Sequence, residues 1–359
     1  MKRFLLFVIA LSLLLSLCGC GRVKPHSLGV PYSHLEAGAR TVWDLVLFEG
    51  KLYAGAGDFD NNISPEYVMR YDFEKGKWEN CGVVHDEQIN RFLILDGDLY
   101  IPGTDPTGSW ESGAFYRLEN GTFVEYATVP HGVHTFDMAL YNGALFVALG
   151  VDDGRYPVAR SHDGGMTFES VPFYRDGEAV PTENEKMINR CYDLFLLKDS
   201  LYAIYFDDLY RFDETLSAFV FEKPFLTRPS VGGIAVPIQS DALFADRLFY
   251  TTTTLYAAEL SEDGVSDPEA ISFDGVERVS DLFVWEDTLY LLAYGEGAVR
   301  VFETKDGEYF SEAISFESEI RANSFVYNGK CFYFGMGEYR NESETCGEIL
   351  TMAYPSPEN

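Results

Sequence analysis

Positive charge is scarce in this 359-residue sequence: 27 Lys and Arg stand against 57 Asp and Glu, a formal net charge of −30. A field of that sign repels phosphate backbones and anionic headgroups, which excludes nucleic acid as a partner and disfavours charge-driven adsorption to membranes. Long apolar runs are also lacking. The one at the start, Phe4 to Leu17, follows the basic Met1-Lys2-Arg3 and is too short to span a bilayer comfortably. Cysteines are few, and Cys81, Cys191, Cys331 and Cys346 have no close partner at a metal-like spacing. They read as buried thiols, with Cys331 and Cys346 a weak disulfide candidate. The His131/His134 pair is too sparse for a metal, and no phosphate-binding glycine loop, zinc spacing or hydrolase elbow is present. Neither a metal nor a cofactor is expected. No Pro/Ser-rich linker divides the chain, which argues for one domain.

What is present is ample core material. Apolar residues make up 47%, including 28 Phe and 23 Tyr, so the acidity does not signal disorder. The first 19 residues read as a removable signal segment. Leu17-Cys18-Gly19-Cys20 resembles the lipobox of bacterial lipoproteins. That resemblance implies cleavage after residue 19, acylation (palmitate) of Cys20, a tether over 20–26 and a domain over 27–359. The domain would then face outward from the cell envelope, touching the membrane through its N-terminal lipid only. An ordinary cleaved signal with a chance cysteine nearby is the alternative.

One phrase recurs through the chain: a polar, mostly acidic residue, four largely apolar residues, a two-residue polar turn and another apolar run. Copies run Asp44 to Tyr53, Arg91 to Tyr100, Asp137 to Phe146, Asp193 to Tyr202, Asp281 to Tyr290 and Asn323 to Phe332, with a shorter one at Asp241 to Phe249. Glu-Gly, Asp-Gly and Asn-Gly turns suit tight hairpins, and the nearly unbroken apolar flanks suit strands covered on both faces. A second, outer strand pair follows, as at Tyr67 to Tyr71 with Trp78. Seven such units predict an all-β, seven-bladed β-propeller with four-stranded antiparallel blades; one misread copy would make it six or eight. Only one strand, Glu348 to Tyr354, follows the last hairpin, so the segment Ser27 to Tyr32 is expected to close the last blade.

Ser161-His-Asp163-Gly-Gly165-Met-Thr167-Phe168 resembles the Asp-box of sialidase-like propellers, Thr304 to Phe310 is a degenerate second copy, and Tyr71-Asp72 with Gly76 and Trp78 is similar to kelch blades. The resemblance implies the fold; in those families the box is an outer turn, so Asp163 and Thr167 are expected to be structural.

Propeller ligands sit where the loops leading into the innermost strands converge. The recurring Asp at that point, Asp137 among them, reads either as a cap that cements each blade or as a functional ring. Arg40, Arg190, Arg278 and Arg321 lie just upstream of such positions, Arg91 occupies one, and His134 stands at the matching place in the third unit. Arg offers a planar fork for carboxylate or sulfate, unless each is bridged to a neighbouring Asp. Trp110, in a Gly/Ser/Pro-rich loop, offers an aromatic face for a sugar ring. The insertion Tyr174 to Glu185 is expected to overhang the mouth as a partial lid. These residues predict a monomeric, non-catalytic propeller that binds an acidic glycan or an envelope protein at the channel mouth. The alternative is a carbohydrate-active enzyme on an acidic sugar, a sialidase-like hydrolase or polysaccharide lyase, with Asp137, His134 or a rim Tyr as acid or base.

Overall fold

Two-residue turns set the strand pairing. The computed structural model describes residues 24–57, 66–106, 111–151, 154–182, 189–205, 207–225, 230–231, 234–235, 238–261, 264–338 and 341–354. Residues 1–19, Cys20, most of the 20–26 tether and Trp110 lie outside them, as do Asp58, Asp60, Asp152 and Asp153, acids of the loops that follow the second inner strands and are expected to open on the ligand face. At Glu49-Gly50, Asp96-Gly97, Asn142-Gly143, Lys198-Asp199 and Ala245-Asp246 both turn residues have positive φ, the geometry whose twist matches antiparallel strands.

All seven expected hairpins form. Their inner strands are Val42–Phe48, Leu93–Leu95, Gly132–Tyr141, Asn189–Leu197, Ser240–Phe244, Arg278–Trp285 and Ala322–Tyr327, each antiparallel to the strand that follows. Among the described residues there is no α-helix, only a 3₁₀ turn at Ala37–Arg40, and no helix long and apolar enough to cross a membrane. Four sheets are four-stranded blades and a fifth has five strands. The third and fourth hairpins instead share one twelve-stranded sheet, joined where Gly150 and Val151 pair with Arg190 and Asn189. The expectation of seven separate blades is therefore corrected to five discrete blades plus this composite. Gly150 stands at this junction, and a Cβ there would lie 2.7 Å from the ring of His134, its partner across the third hairpin.

The hydrophobic core lies between consecutive units. Tyr53 and Val68 pack with Leu99 and Tyr116, Phe146 with Leu201 and Tyr205, and Tyr290 with Phe332. Val42 and Leu45 pack with Val326 and Tyr333, so the last unit meets the first. Each such buried side chain stabilises by about 1.5–3 kcal/mol.

The N-terminal segment staples this seam. His26–Gly29 pairs with Ile349–Ala353 as the outermost strand of the last sheet. Beyond it, the Tyr32 hydroxyl lies within hydrogen-bond reach of the carbonyls of Ala54 and Tyr67, at 2.6 and 2.8 Å, and shares its one proton between them.

Two smaller expectations are corrected. The described part of the 174–185 insertion is no lid: Phe173–Arg175 pairs in parallel with the outer strand Ala218–Pro224. Burial of Phe173 against Tyr205, Tyr210 and Phe219 draws it to the rim of the disc. Cys331 and Cys346 are free thiols, as are Cys81 and Cys191, and the Cys346 sulfur lies 3.3 Å from the Thr41 hydroxyl.

Candidate functional site

A recurrent β-bulge builds the site. In five units the inner strand slips by one residue just before the aspartate position, between Val42/Asp44, Thr135/Asp137, Cys191/Asp193, Val279/Asp281 and Ala322/Ser324. A bulge leaves one residue unpaired and re-aims its side chain. The extra residues are Trp43, Phe136, Tyr192, Ser280 and Asn323, and all five line a single axial cavity of about 890 Å³. Bulge geometry also corrects the repeat alignment. Ser240 and Ser324, rather than Asp241 and Asn323, stand where the other units place Asp.

Below the bulge residues lies a layer of acids, Asp137 and Asp193 buried and Asp44, Asp241 and Asp281 half-buried, around one cation. The Asp44 carboxylate accepts the Phe92 N–H at 2.6 Å, Asp137 that of Leu194 at 2.9 Å, and Asp281 that of Phe325 at 2.9 Å. Each reaches across to the next unit. Ser240 does the same for Leu282, and Ser324 for Leu45. The recurring aspartate is thus an inter-unit clamp. Arg91, at the clamp position of the second unit, lies 3.2 Å from the Asp137 carboxylate. Burial opposes its charge, but Asp137, Asp241, Asp193 and Asp44 outweigh that and raise its pKa. Burial, with Asp281 nearby, pushes Asp44 up to about 7. Burial pushes Asp241 up to about 6, with Asp137 and Asp281 adding to the rise and Arg91 opposing it.

The mouth above is divided into two walls. On one, the His134 ring stacks on Phe136 (5.1 Å between centroids), Phe136 meets Tyr192 at 4.6 Å, and the Arg190 guanidinium lies 6.0 Å from the Phe136 centroid. Arg190 donates to the Tyr192 hydroxyl at 3.2 Å. Burial, then Arg190, pushes His134 down to about 4, so its imidazole is neutral; its Nδ1 lies 3.9 Å from the Asp105 carboxylate. On the other wall stand Arg278, Ser280 and Asn323. The Arg278 Nε and Ser280 Oγ are buried without a hydrogen-bond partner, and Arg278 makes no ion pair among the described residues. Burial, then the like charge of Arg321, pulls Arg278 down to about 10.

Of the residues expected from sequence, Arg91, His134, Arg190 and Arg278 line the cavity, and Asp137 stands behind Arg91. Arg40 and Arg321 do not line it. Arg40 donates to the Glu344 carbonyl at 3.0 Å, drawn toward the closing turn of the last unit. Arg321 donates to Asn323 at 3.0 Å and lies 3.6 Å from Glu338, one step behind the wall. Asp105, in a loop after a second inner strand and so expected on the same face, also lines the cavity; Trp43, Phe136, Tyr192 and Ser280 went unrecognised, and the signal was their register, immediately before the aspartate position. Among the described residues no group of three or more His, Cys, Asp and Glu is arranged to hold a metal.

Fold and cavity together define a β-propeller with a ligand-sized axial cavity. No protein-family profile matches the chain, and no curated protein matches it significantly. Solved structures do resemble it. Virginiamycin B lyase from Staphylococcus aureus is 13% identical with a TM-score of 0.58, over 92% of this chain and 99% of that one. Sqt1 of Saccharomyces cerevisiae is 11% identical with a TM-score of 0.55, over 90% and 98%. Their likeness extends to the propeller fold and no further.

Proposed function

We propose that this chain is a lipid-anchored, outward-facing surface protein that binds an acidic glycan or an envelope protein at the mouth of its axial cavity, without turning it over. In this reading the twelve-stranded sheet is two blades run together, and the units form one ring of seven with Asp-box-like outer turns. Support for the ring comes from cores shared by consecutive units, the last packing on the first. Support for the outer turns comes from Asp163, which accepts the N–H groups of Met166 and Thr167 at 3.0 and 2.9 Å. The anchor rests on Leu17-Cys18-Gly19-Cys20.

The observation that carries the binding reading is the pairing of unsatisfied polar atoms with aromatic faces in one cavity. Arg278 Nε and Ser280 Oγ lack partners there, while Trp43, Phe136 and Tyr192 offer ring surfaces. Buried donors without partners each cost about 1–3 kcal/mol, which a bound acidic group would recover. A screen of the purified chain against acidic and neutral glycans tests it. Retention of acidic glycans alone is expected; indifference to charge would refute the reading.

A catalytic reading is favoured by one feature. His134 is neutral, lines the cavity and lies beside Asp105, the setting of a general base. An enzyme would take an acidic sugar as hydrolase or lyase. Release of reducing ends or unsaturated uronates from acidic polysaccharides, lost in His134→Ala, would establish it, and intact polymer would dismiss it.

A further inference from the structure

The five arginines drawn to the axis by the sequence do unequal things. Arg91 is paired with Asp137 at 3.2 Å and surrounded by further carboxylates. Arg190 is spent on Tyr192 and on the ring of Phe136. Arg40 caps a carbonyl outside the cavity. That leaves Arg278 and Arg321: burial and then the Arg321 charge disfavour the charge of Arg278, and Glu338 offsets this in part. Glu338 is 3.6 Å from Arg321 and makes no ion pair with Arg278.

The surroundings of Arg278 are incomplete in a specific way. Its Nε is buried and has no acceptor. Ser280, two residues on, is 4% exposed and lines the same cavity with its hydroxyl unpartnered. Asn323, held by Arg321 at 3.0 Å, completes that wall. A protein gains nothing for its own stability from a half-buried guanidinium beside a like charge and two idle donors. An oxyanion settles all of them: one oxygen takes the guanidinium fork, another the hydroxyl, and its charge relieves the Arg278–Arg321 repulsion.

We propose that Arg278, Ser280 and Asn323, backed by Arg321, form the seat for the acidic group of the ligand, a sugar carboxylate or sulfate ester. Arg190 serves the opposite wall, positioning Tyr192. The ligand is thereby oriented: its acid lies against the sixth and seventh units and its ring over Phe136 and Tyr192. This inference rests on the binding reading above and assigns that site its polarity.

The test uses the purified full-length chain and three probes: inorganic sulfate, a uronic-acid trisaccharide and a sulfated neutral trisaccharide. Sulfate is expected to raise the melting temperature of the wild type more than equal ionic strength of chloride, and Arg278→Met to abolish the excess while Arg190→Met keeps it. One of the two trisaccharides is expected to bind, marking carboxylate or sulfate ester as the natural group. Its affinity should fall roughly 10–100-fold in Arg278→Met and several-fold in Ser280→Ala, the range for lost charge-assisted and neutral hydrogen bonds. Arg278→Met retains the stem volume and removes the repulsion, so it should melt no lower than wild type without ligand, and circular dichroism verifies its fold. Trisaccharide binding that survives Arg278→Met but vanishes in Arg190→Met overturns the seat and leaves the binding reading standing. A sulfate effect confined to Arg278, with neither trisaccharide bound, upholds the seat and removes the glycan. A sulfate effect identical in wild type and Arg278→Met rejects the seat outright.

Discussion

The Asp44 carboxylate accepts the backbone N–H of Phe92 across 2.6 Å, joining the first unit to the second. Asp137 to Leu194 and Asp281 to Phe325 repeat the contact, and Ser240 and Ser324 substitute a hydroxyl for the carboxylate. An inner strand bordering a cavity has no neighbour to hydrogen-bond on that side, so its first N–H needs a partner from elsewhere. The clamp supplies it. Asp281→Ala is expected to destabilise the chain by about 1–3 kcal/mol, and Ser240→Ala by about 1 kcal/mol, as read by urea unfolding. Equal, negligible effects would show the clamps to be incidental.

Arg91 is the counter-ion of the acidic layer rather than a ligand contact. Its removal leaves Asp137 buried, and Asp241 and Asp44 half-buried, without a cation. Arg91→Met should therefore cost about 3–5 kcal/mol, far more than Arg278→Met, when thermal or urea midpoints are compared.

The same layer gives stability a pH dependence of definite sign. Burial, with Asp137 and Asp281 nearby, raises folded Asp241 to about 6, above its unfolded value. The stability it contributes is complete below about pH 4 and is lost as pH rises through 6. Asp44 extends the loss to about 7. His134 acts oppositely: burial and Arg190 hold it near 4, so its contribution disappears as pH falls from about 6.5 to 4. Subtraction isolates the aspartate. The difference in unfolding free energy between wild type and Asp241→Asn should change by about 2 kcal/mol from pH 4 to 7 and be flat above it. A pH-independent difference would contradict the assigned burial.

Turn strain offers a gain. Lys198 and Asp199 both hold positive φ, at 45° and 36°, without a glycine. Left-handed backbone costs an ordinary L-residue about 1–2 kcal/mol, and glycine returns part of that through its flexibility. Asp199→Gly should raise stability by about 0.5–1 kcal/mol in chemical denaturation, whereas a loss would place the strain elsewhere.

The hairpins were legible in the sequence because a two-residue turn and its apolar flanks are local chemistry. Closure was legible too, since one strand was missing after the last hairpin and a spare one preceded the first. The merged third and fourth units were not, because the junction is a pairing of Gly150 and Val151 with Arg190 and Asn189, strand ends far apart in the sequence that carry no turn signal between them. The cavity wall was half legible. Arginine and histidine announce themselves by charge, and four of them do line it. Trp43, Phe136 and Tyr192 read as ordinary apolar strand residues, since a bulge has no composition of its own and appears only as a slip in pairing. The same slip hid the equivalence of Ser240 and Ser324 to the aspartates.

Hydroxyl-radical footprinting of the full-length chain, with and without an acidic glycan selected by the binding screen, addresses the proposed mouth of the axial cavity most directly. Protection is expected at Trp43, Phe136 and Tyr192, with Tyr309, 78% exposed on an outer turn, labelled equally in both states. Protection of Tyr309 with unchanged labelling of the three cavity aromatics would contradict the account.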